Sequence, residues 1–309
     1  MKSLIKSPQA IVVNPTIQML IYGQPGVGKT TLALSAPDPL LIDTDGGVSR
    51  VNPGHRCDTV QVADYQDVLD VLNEDLSIYK TIIIDTGGKL LDFMASWIIK
   101  NNGKLGKGNG SLTLQGFGER KGEFRQFCRR IRALGKHIIF VAHRETKTVD
   151  DTLRYVPIFG GSSYDDLVTE LDLVGYIEAY GRKRVITFDP TDKNDGKNTI
   201  NMPSMVELPA TVDDAGIATD NDYIEQHIIG AFKHRLEEQA KLNDLFSEAM
   251  EVVKAAIECV TDADTANEVA GKLKTMEHVG NSKIHASRLL RDKCRELGLT
   301  FNKEEGRYE

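Results

Sequence analysis

Apolar residues run along this chain in two alternating patterns. Short β-branched and aliphatic runs occur at 17–22 (IQMLIY), 39–43 (PLLID), 81–85 (TIIID) and 137–143 (HIIFVAH). Between them, apolar positions recur every three or four residues. Val68, Leu69, Val71 and Leu72 do so within 65–76, and Phe124, Phe127, Cys128, Ile131 and Leu134 within 119–134. The first pattern predicts buried strands and the second predicts amphipathic helices. Further helices are predicted from Lys29 and over 90–100, and Thr59 to Val62 adds a short strand. Strands alternating with helices imply a parallel sheet covered on both faces. Later, 173–180 and 185–190 read as a hairpin around Gly181 and Arg182.

From about Asn243 only the helical period remains. Asp222 to Lys241 reads as one helix, followed by helices over 245–260, 262–276 and 282–297, with Thr261 as a cap. The expected organisation is therefore an α/β domain over 1–240 and a small helical unit over 243–309. Segment 101–118 holds six glycines and reads as a long mobile loop, a length that usually signals function or disorder. No apolar run approaches the ~20 residues of a membrane span, and the first residues lack a signal-peptide layout. Cys57, Cys128, Cys259 and Cys294 are scattered, with no C-x-x-C pair. The expected setting is the cytoplasm, with reduced thiols, no structural zinc and no membrane partner.

One loop adds specific chemistry to this framework. Residues Gly23, Gln24, Pro25, Gly26, Val27, Gly28, Lys29 and Thr30 fit G-x-x-x-x-G-K-[ST] between a predicted strand and a predicted helix. The glycines let consecutive N–H groups converge on phosphate oxygens, and Lys29 adds a point charge for the β- and γ-phosphates. The Thr30 hydroxyl can ligate Mg²⁺, and Thr31 continues the helix start. The loop predicts binding of a nucleoside triphosphate, ATP with Mg²⁺.

An acidic residue closing an apolar strand is the second expected part, and Asp85 takes it as a metal ligand. The strand at 39–43 ends in Asp43-Thr44-Asp45, at the carboxyl edge where ligands gather in such sheets. Asp43 follows the strand's alternation and reads as structural, whereas Asp45 lies beyond the strand and is free to activate water. Asp43 stays open as the alternative base. His143 closes another strand, either as a sensor of the γ-phosphate or as a hydrogen-bonded structural residue.

Charge sharpens the expected partner. The net charge is −7, yet Lys100 to Lys147 holds 12 Lys/Arg against Glu119, Glu123 and Glu145, leaving −16 elsewhere. A segregated basic stretch in an acidic chain predicts a local polyanion site. The cations expected on DNA are Lys104 and Lys107 in one loop, and Arg144, Lys147 and Arg154 in another spanning 144–164. Phe117, Tyr155 and Phe159 are candidates for base stacking.

Taken with LLIDTDGG (40–47), TIIIDT (81–86), HIIFVAH (137–143) and the run 156–180, the loop gives a nameable likeness. Over roughly 15–240 the sequence resembles the phage-encoded RecA/RadA-like P-loop ATPases of the single-strand annealing recombinase group. The resemblance implies a RecA-like core with a mostly parallel sheet flanked by helices. It implies an ATPase stimulated by single-stranded DNA, self-associated as a ring or filament, that promotes annealing or pairing. It implies Asp45 as water activator, where that superfamily commonly has Glu, and His143 where Gln is frequent. A neighbour's cationic finger is expected too, and Lys197 in the stretch 191–203 is the candidate. A single-strand-binding protein is a further candidate partner. A KaiC-like switch acting on a protein is the competing class. A nucleotide kinase fits poorly, because no arginine-rich lid follows Asp85.

Overall fold

A computed structural model describes residues 14–149 and 151–309. The phosphate-loop strand β1 (Gln18–Gly23) leads into α1 (Lys29–Ala33), then β2 (Pro39–Asp43), β3 (Thr59–Gln61) and α2 (Tyr65–Val71). Next come β4 (Thr81–Asp85), α3 (Gly87–Asn101), α4 (Leu114–Ala133), β5 (His137–Val149) and β6 (Thr152–Pro157). The sheet domain continues with α5 (Tyr164–Val168), β7 (Leu173–Tyr180), β8 (Lys183–Thr187), β9 (Lys197–Asn198) and β10 (Met205–Leu208).

One sheet of ten strands has the order β10-β8-β7-β1-β5-β4-β2-β3, with β6 added to β5 and β9 to β7. Strands β7, β1, β5, β4, β2 and β3 are parallel, while β8 and β10 turn back antiparallel. This is the RecA-like arrangement, in which β5 separates the phosphate-loop strand from the strand ending in Asp85. The pleat sends alternate side chains to opposite faces. Leu20, Tyr22, Ile82, Ile84, Phe140 and Ala142 pack with Val68, Leu90, Phe124 and Phe127. Met19, Ile21, Ile83, Ile139 and Val141 pack with Leu32, Ile224 and Ile228. Both faces are therefore covered, as the continuous apolar strands require.

Three segments differ from the sequence expectation. The glycine-rich stretch 101–118 is ordered, not a long loop. Asn102 caps a 3-10 turn over Gly103–Leu105, a bridge joins Gly106 to Leu112, and Thr113 caps α4, which begins at Leu114 rather than at Glu119. Gly116 is required there, because a Cβ would sit 2.6 Å from the Leu105 carbonyl oxygen. The segment 144–164 is not a loop either. β5 runs on to Val149 and pairs with β6, Arg144 opposite Pro157 and Lys147 opposite Arg154, to form a hairpin. Lastly, residues expected in two helices, 222–241 and 245–260, form one run. A wide turn at Ile224–Gly230 passes straight into α6 (Ala231–Glu258).

The chain divides into two compact units between Phe232 and Lys233. The second packs α6, α7 (Ala263–Thr275) and α8 (Ser282–Glu296) around Val253, Ile257, Val269, Leu273, Ala286 and Leu290. Asp262, rather than Thr261, caps α7: its carboxylate accepts from Thr265 N at 2.9 Å, and Thr265 answers at the cap backbone. A short hairpin of β11 (Phe301–Asn302) and β12 (Arg307–Tyr308) is pinned by Asn267, which exchanges two hydrogen bonds with the Tyr308 backbone. Among the described residues no helix is long and apolar enough to cross a membrane.

Candidate active site at the carboxyl ends of the strands

Parallel pairing brings the carboxyl ends of four strands level. Gly23 lies opposite His143, Asp43 opposite Asp85, and Asp85 opposite Val141. Residues far apart in sequence thereby meet at one edge. The loop after β1 turns through Gly26 at φ 75° and Gly28 at φ 96°, the left-handed conformation that favours glycine. Neither glycine would place a Cβ against another atom, so backbone conformation alone dictates them. Gly23 differs, since a Cβ there would meet the Ile177 carbonyl oxygen at 2.5 Å.

Lys29 is 5% exposed, and its ammonium donates to the Gln24 carbonyl at 2.8 Å, folding back over its own loop. Burial holds its pKa below the ordinary lysine value, against the opposing pull of Asp85 and Asp45. Thr30 Oγ1 donates to Asp85 Oδ2 at 2.5 Å. Burial pushes the Asp85 carboxyl up to about 6, and the Thr30 hydrogen bond works against that rise. A hydroxyl and a carboxylate converging beside a phosphate loop form the small hard-oxygen set that Mg²⁺ takes with waters and substrate phosphates. Among the described residues no group of three His, Cys, Asp or Glu side chains could hold a metal by itself. The residues present fit Mg²⁺ held jointly with phosphate.

The two neighbouring aspartates have separate environments. Asp43 is buried and accepts backbone N–H groups from Gly47 at 3.0 Å, Val48 at 3.2 Å and Asp45 at 3.3 Å. It shapes the turn that follows β2. Asp45 is exposed, and its charge is felt at Lys29, Asp85 and His143. Thr44 is locked away from the site: its hydroxyl accepts from Thr86 N at 2.7 Å and donates to Thr86 O at 3.1 Å. His143 sits among Lys29, Asp45 and Arg50. Burial, then Lys29, holds its pKa below the usual histidine value, and its buried Nδ1 has no protein partner.

Beside the loop opens a cavity of about 640 Å³, lined by Gly26, Gly28 and Thr31 on one side and Arg182, Pro209 and Tyr223 on others. Its size suits a nucleoside. Asn221 donates to the Thr31 carbonyl at 2.8 Å and ties the far wall to α1. Nothing in the local sequence of 207–223 announces this wall, because turn pairing and not a motif brings it there.

The remaining expected site residues are placed elsewhere or are already engaged. Lys197 donates to the carbonyls of Val168 at 3.0 Å and Thr169 at 3.2 Å, the last turn of α5. It also pairs with Val174 near the start of β7, away from the strand ends that carry the site. Arg144 stacks 3.9 Å over the Tyr155 ring, Tyr155 in turn stacks on Tyr176, and Phe159 lies fully buried against Phe124 and Phe140. Arg154 pairs with Asp195 at 2.8 Å and Lys147 with Glu145 at 3.1 Å, whereas Lys104 and Lys107 are exposed and have no ion pair among the described residues. The basic stretch is largely answered within the fold. Lys121 pairs with Asp166, Arg125 with Glu170 at 3.2 Å, and Arg132 with Asp172 at 2.9 Å. Arg130 and Lys136 donate to backbone carbonyls of 72–79.

The nucleotide-free stability should report Asp85 directly. Its folded pKa lies above the unfolded one, so its contribution favours folding at low pH and is lost as pH rises through about 6. Replacing it with Asn should therefore raise the melting temperature of the ligand-free protein at pH 8 and leave it unchanged near pH 4. The gap from 3.8 to about 6 caps the gain at ~3 kcal/mol. A thermal scan of Asp85→Asn at the two pH values checks this; equal effects at both would show that burial of the charge is not its cause.

A sequence profile described as AAA domain matches residues 16–200. No match was found among curated protein sequences. Among solved structures, the ATPase domain of a phage helicase is similar at 12% identity, covering 67% of this chain and 86% of that one, with a TM-score of 0.39. The matched profile span runs from just before the phosphate-loop strand to beyond the last parallel strand, and so takes in the loop, Asp45, Asp85 and His143. The chain belongs to the AAA domain family and is a P-loop ATPase with a RecA-like sheet.

Proposed function

We propose that this ATPase couples ATP hydrolysis to single-stranded DNA, assembles as a ring or filament, and promotes annealing or homologous pairing. One observation carries the reading. The strand that places His143 beside Lys29 and Asp45 continues unbroken for six residues into the β5–β6 hairpin. A change at the phosphate end has a rigid path outward, because β-strand backbone cannot shift at one point without moving its ladder partner. Exposed Lys104, Lys107 and Lys147 offer backbone-tracking cations, at the modest number that the internally paired α4 leaves available.

Within the site, Lys29 and the loop amides hold the triphosphate, while Thr30 and Asp85 hold Mg²⁺. The metal, when bound, neutralises charge between the β- and γ-phosphates. Asp45 orients and deprotonates the attacking water, and His143 registers the γ-phosphate through its partnerless Nδ1. Self-association would put each nucleotide beside a neighbouring subunit.

Hydrolysis measured with and without single-stranded DNA tests the reading. Stimulation by DNA, lost steeply with added salt as released counterions require, is expected. Replacing 146–155 with a two-residue turn should leave basal hydrolysis intact and remove the stimulation. Equal turnover with and without DNA across a wide salt range would overturn the proposal. The switch acting on a protein partner would then be favoured, since acidic residues already answer most of the basic helix and 233–309 forms a compact helical unit of its own.

A further inference from the structure

We propose that Arg50 is the cation that meets the transferred phosphoryl group, supplied by the same chain that carries the phosphate loop. The inference deepens the ATPase reading and does not depend on DNA. Arg50 closes a 3-10 turn, Gly47–Arg50, shortly after Asp45. That turn is braced from three sides. At its start, the Asp43 carboxylate accepts from Gly47 and Val48 N–H groups. At its end, Val51 is buried in the core at 7% exposure. From below, the Arg56 guanidinium donates to the carbonyls of Ser49 at 2.8 Å and Val51 at 3.0 Å. The backbone on both sides of Arg50 is thus held, while its own guanidinium is exposed and makes no hydrogen bond or ion pair among the described residues.

Its direction is set by Gly47. A Cβ built there would lie 2.8 Å from Asp45 Oδ1 and 3.9 Å from Arg50 Nη1, so both side chains fold over the same glycine. Any side chain at 47 would displace the Asp45 carboxylate. The positive charge of Arg50 is also felt at His143, together with that of Lys29. An acid, a cation and an imidazole therefore surround the position beyond the loop where a γ-phosphate would project. Other candidates are committed: Arg144 to Tyr155, Arg154 to Asp195, and Lys197 to two carbonyls.

In the reaction, the water oxygen bonds to the γ-phosphorus as the bond from that phosphorus to the β,γ-bridging oxygen breaks. The electron pair of the broken bond leaves with ADP, and the proton released by water passes to the Asp45 carboxylate and then to solvent. The planar N–H fork of Arg50 faces the phosphoryl oxygens, where charge is spread in the transition state.

The test is Arg50→Ala in the full chain, without DNA. Loss of a single positioned donor set predicts a fall in kcat of about 10²-fold, with KM and ADP affinity little changed. A readout separate from turnover is thermal stabilisation by Mg²⁺, ADP and aluminium fluoride, which imitate the phosphoryl in transit, compared with Mg²⁺ and ADP alone. The unaltered protein should gain an extra shift with fluoride, and Arg50→Ala should show only the ADP shift. Retention of both the rate and the fluoride-specific shift would overturn the proposal. Mixing Arg50→Ala with Lys29→Ala then separates same-chain from neighbouring-chain action. No recovery supports the assignment, whereas recovered hydrolysis would place Arg50 in a neighbour's site and overturn it. Because no DNA is present, failure of the DNA reading leaves these outcomes untouched.

Discussion

Lys29→Ala should abolish measurable hydrolysis and remove the thermal shift that ATP gives the unaltered protein. Two effects combine. The variant loses the point charge for the β- and γ-phosphates, and it also loses a cation that helps keep Asp85 ionised. Without Lys29 the Asp85 carboxyl moves further up from about 6, so less of the metal-binding form is present near neutral pH. Ligand-free stability should not fall in parallel, since burial already penalises the Lys29 charge and the lost partner is a single carbonyl of its own loop. Thermal scans with increasing ATP measure both quantities, because stabilisation follows RT ln(1 + [L]/Kd). An undiminished ATP shift in Lys29→Ala would show that the phosphates lie elsewhere. Effects of Lys29 and Asp85 substitutions should not add, as expected of groups that act on one another.

Asp45→Asn should keep nucleotide binding and lower hydrolysis by ~10²-fold or more, the usual consequence of losing a general base. The amide preserves shape, and nothing in the fold depends on the Asp45 carboxylate as the turn depends on Asp43. Its negative charge raises the Asp85 pKa, so removing it eases ionisation of the metal-binding carboxyl and cannot mimic a metal-binding defect. Single-turnover hydrolysis alongside ATP binding separates the two steps. Wild-type turnover in Asp45→Asn would exclude it as the base. Asp43 would be a poor successor, because its two oxygens already accept three backbone N–H groups.

Much of the core could be read from residue pattern alone. The strands at 17–22, 39–43, 81–85 and 137–143, the hairpin at Gly181 and the tail helices all follow from apolar periodicity and turn chemistry. The departures share a cause. Segment 101–118 is rich in glycine, which reads as mobility, yet Gly116 is there to admit the Leu105 carbonyl. The polar stretch 144–149 reads as a loop, yet it gains ladder partners from 152–157. The excess of cations between Lys100 and Lys147 is offset by Asp166, Glu170 and Asp172, which approach only when α5 and the start of β7 pack beside α4.

The sequence by itself determined the phosphate loop, the candidacy of Thr30 and Asp85 as a metal-binding pair, and the alternation of strands and helices. Each depends on residues close in sequence or on a period within one element, and local chain geometry is enough to express them. Only the tertiary structure decided which acid is engaged and which is free, which cations are already paired, and that Arg50 shares a glycine with Asp45. Those properties arise from distances between segments far apart in the chain. Parallel pairing sets them by bringing Gly23, Asp43, Asp85 and His143 to one edge of the sheet, and hydrogen bonds across that edge then settle which polar groups remain available for chemistry.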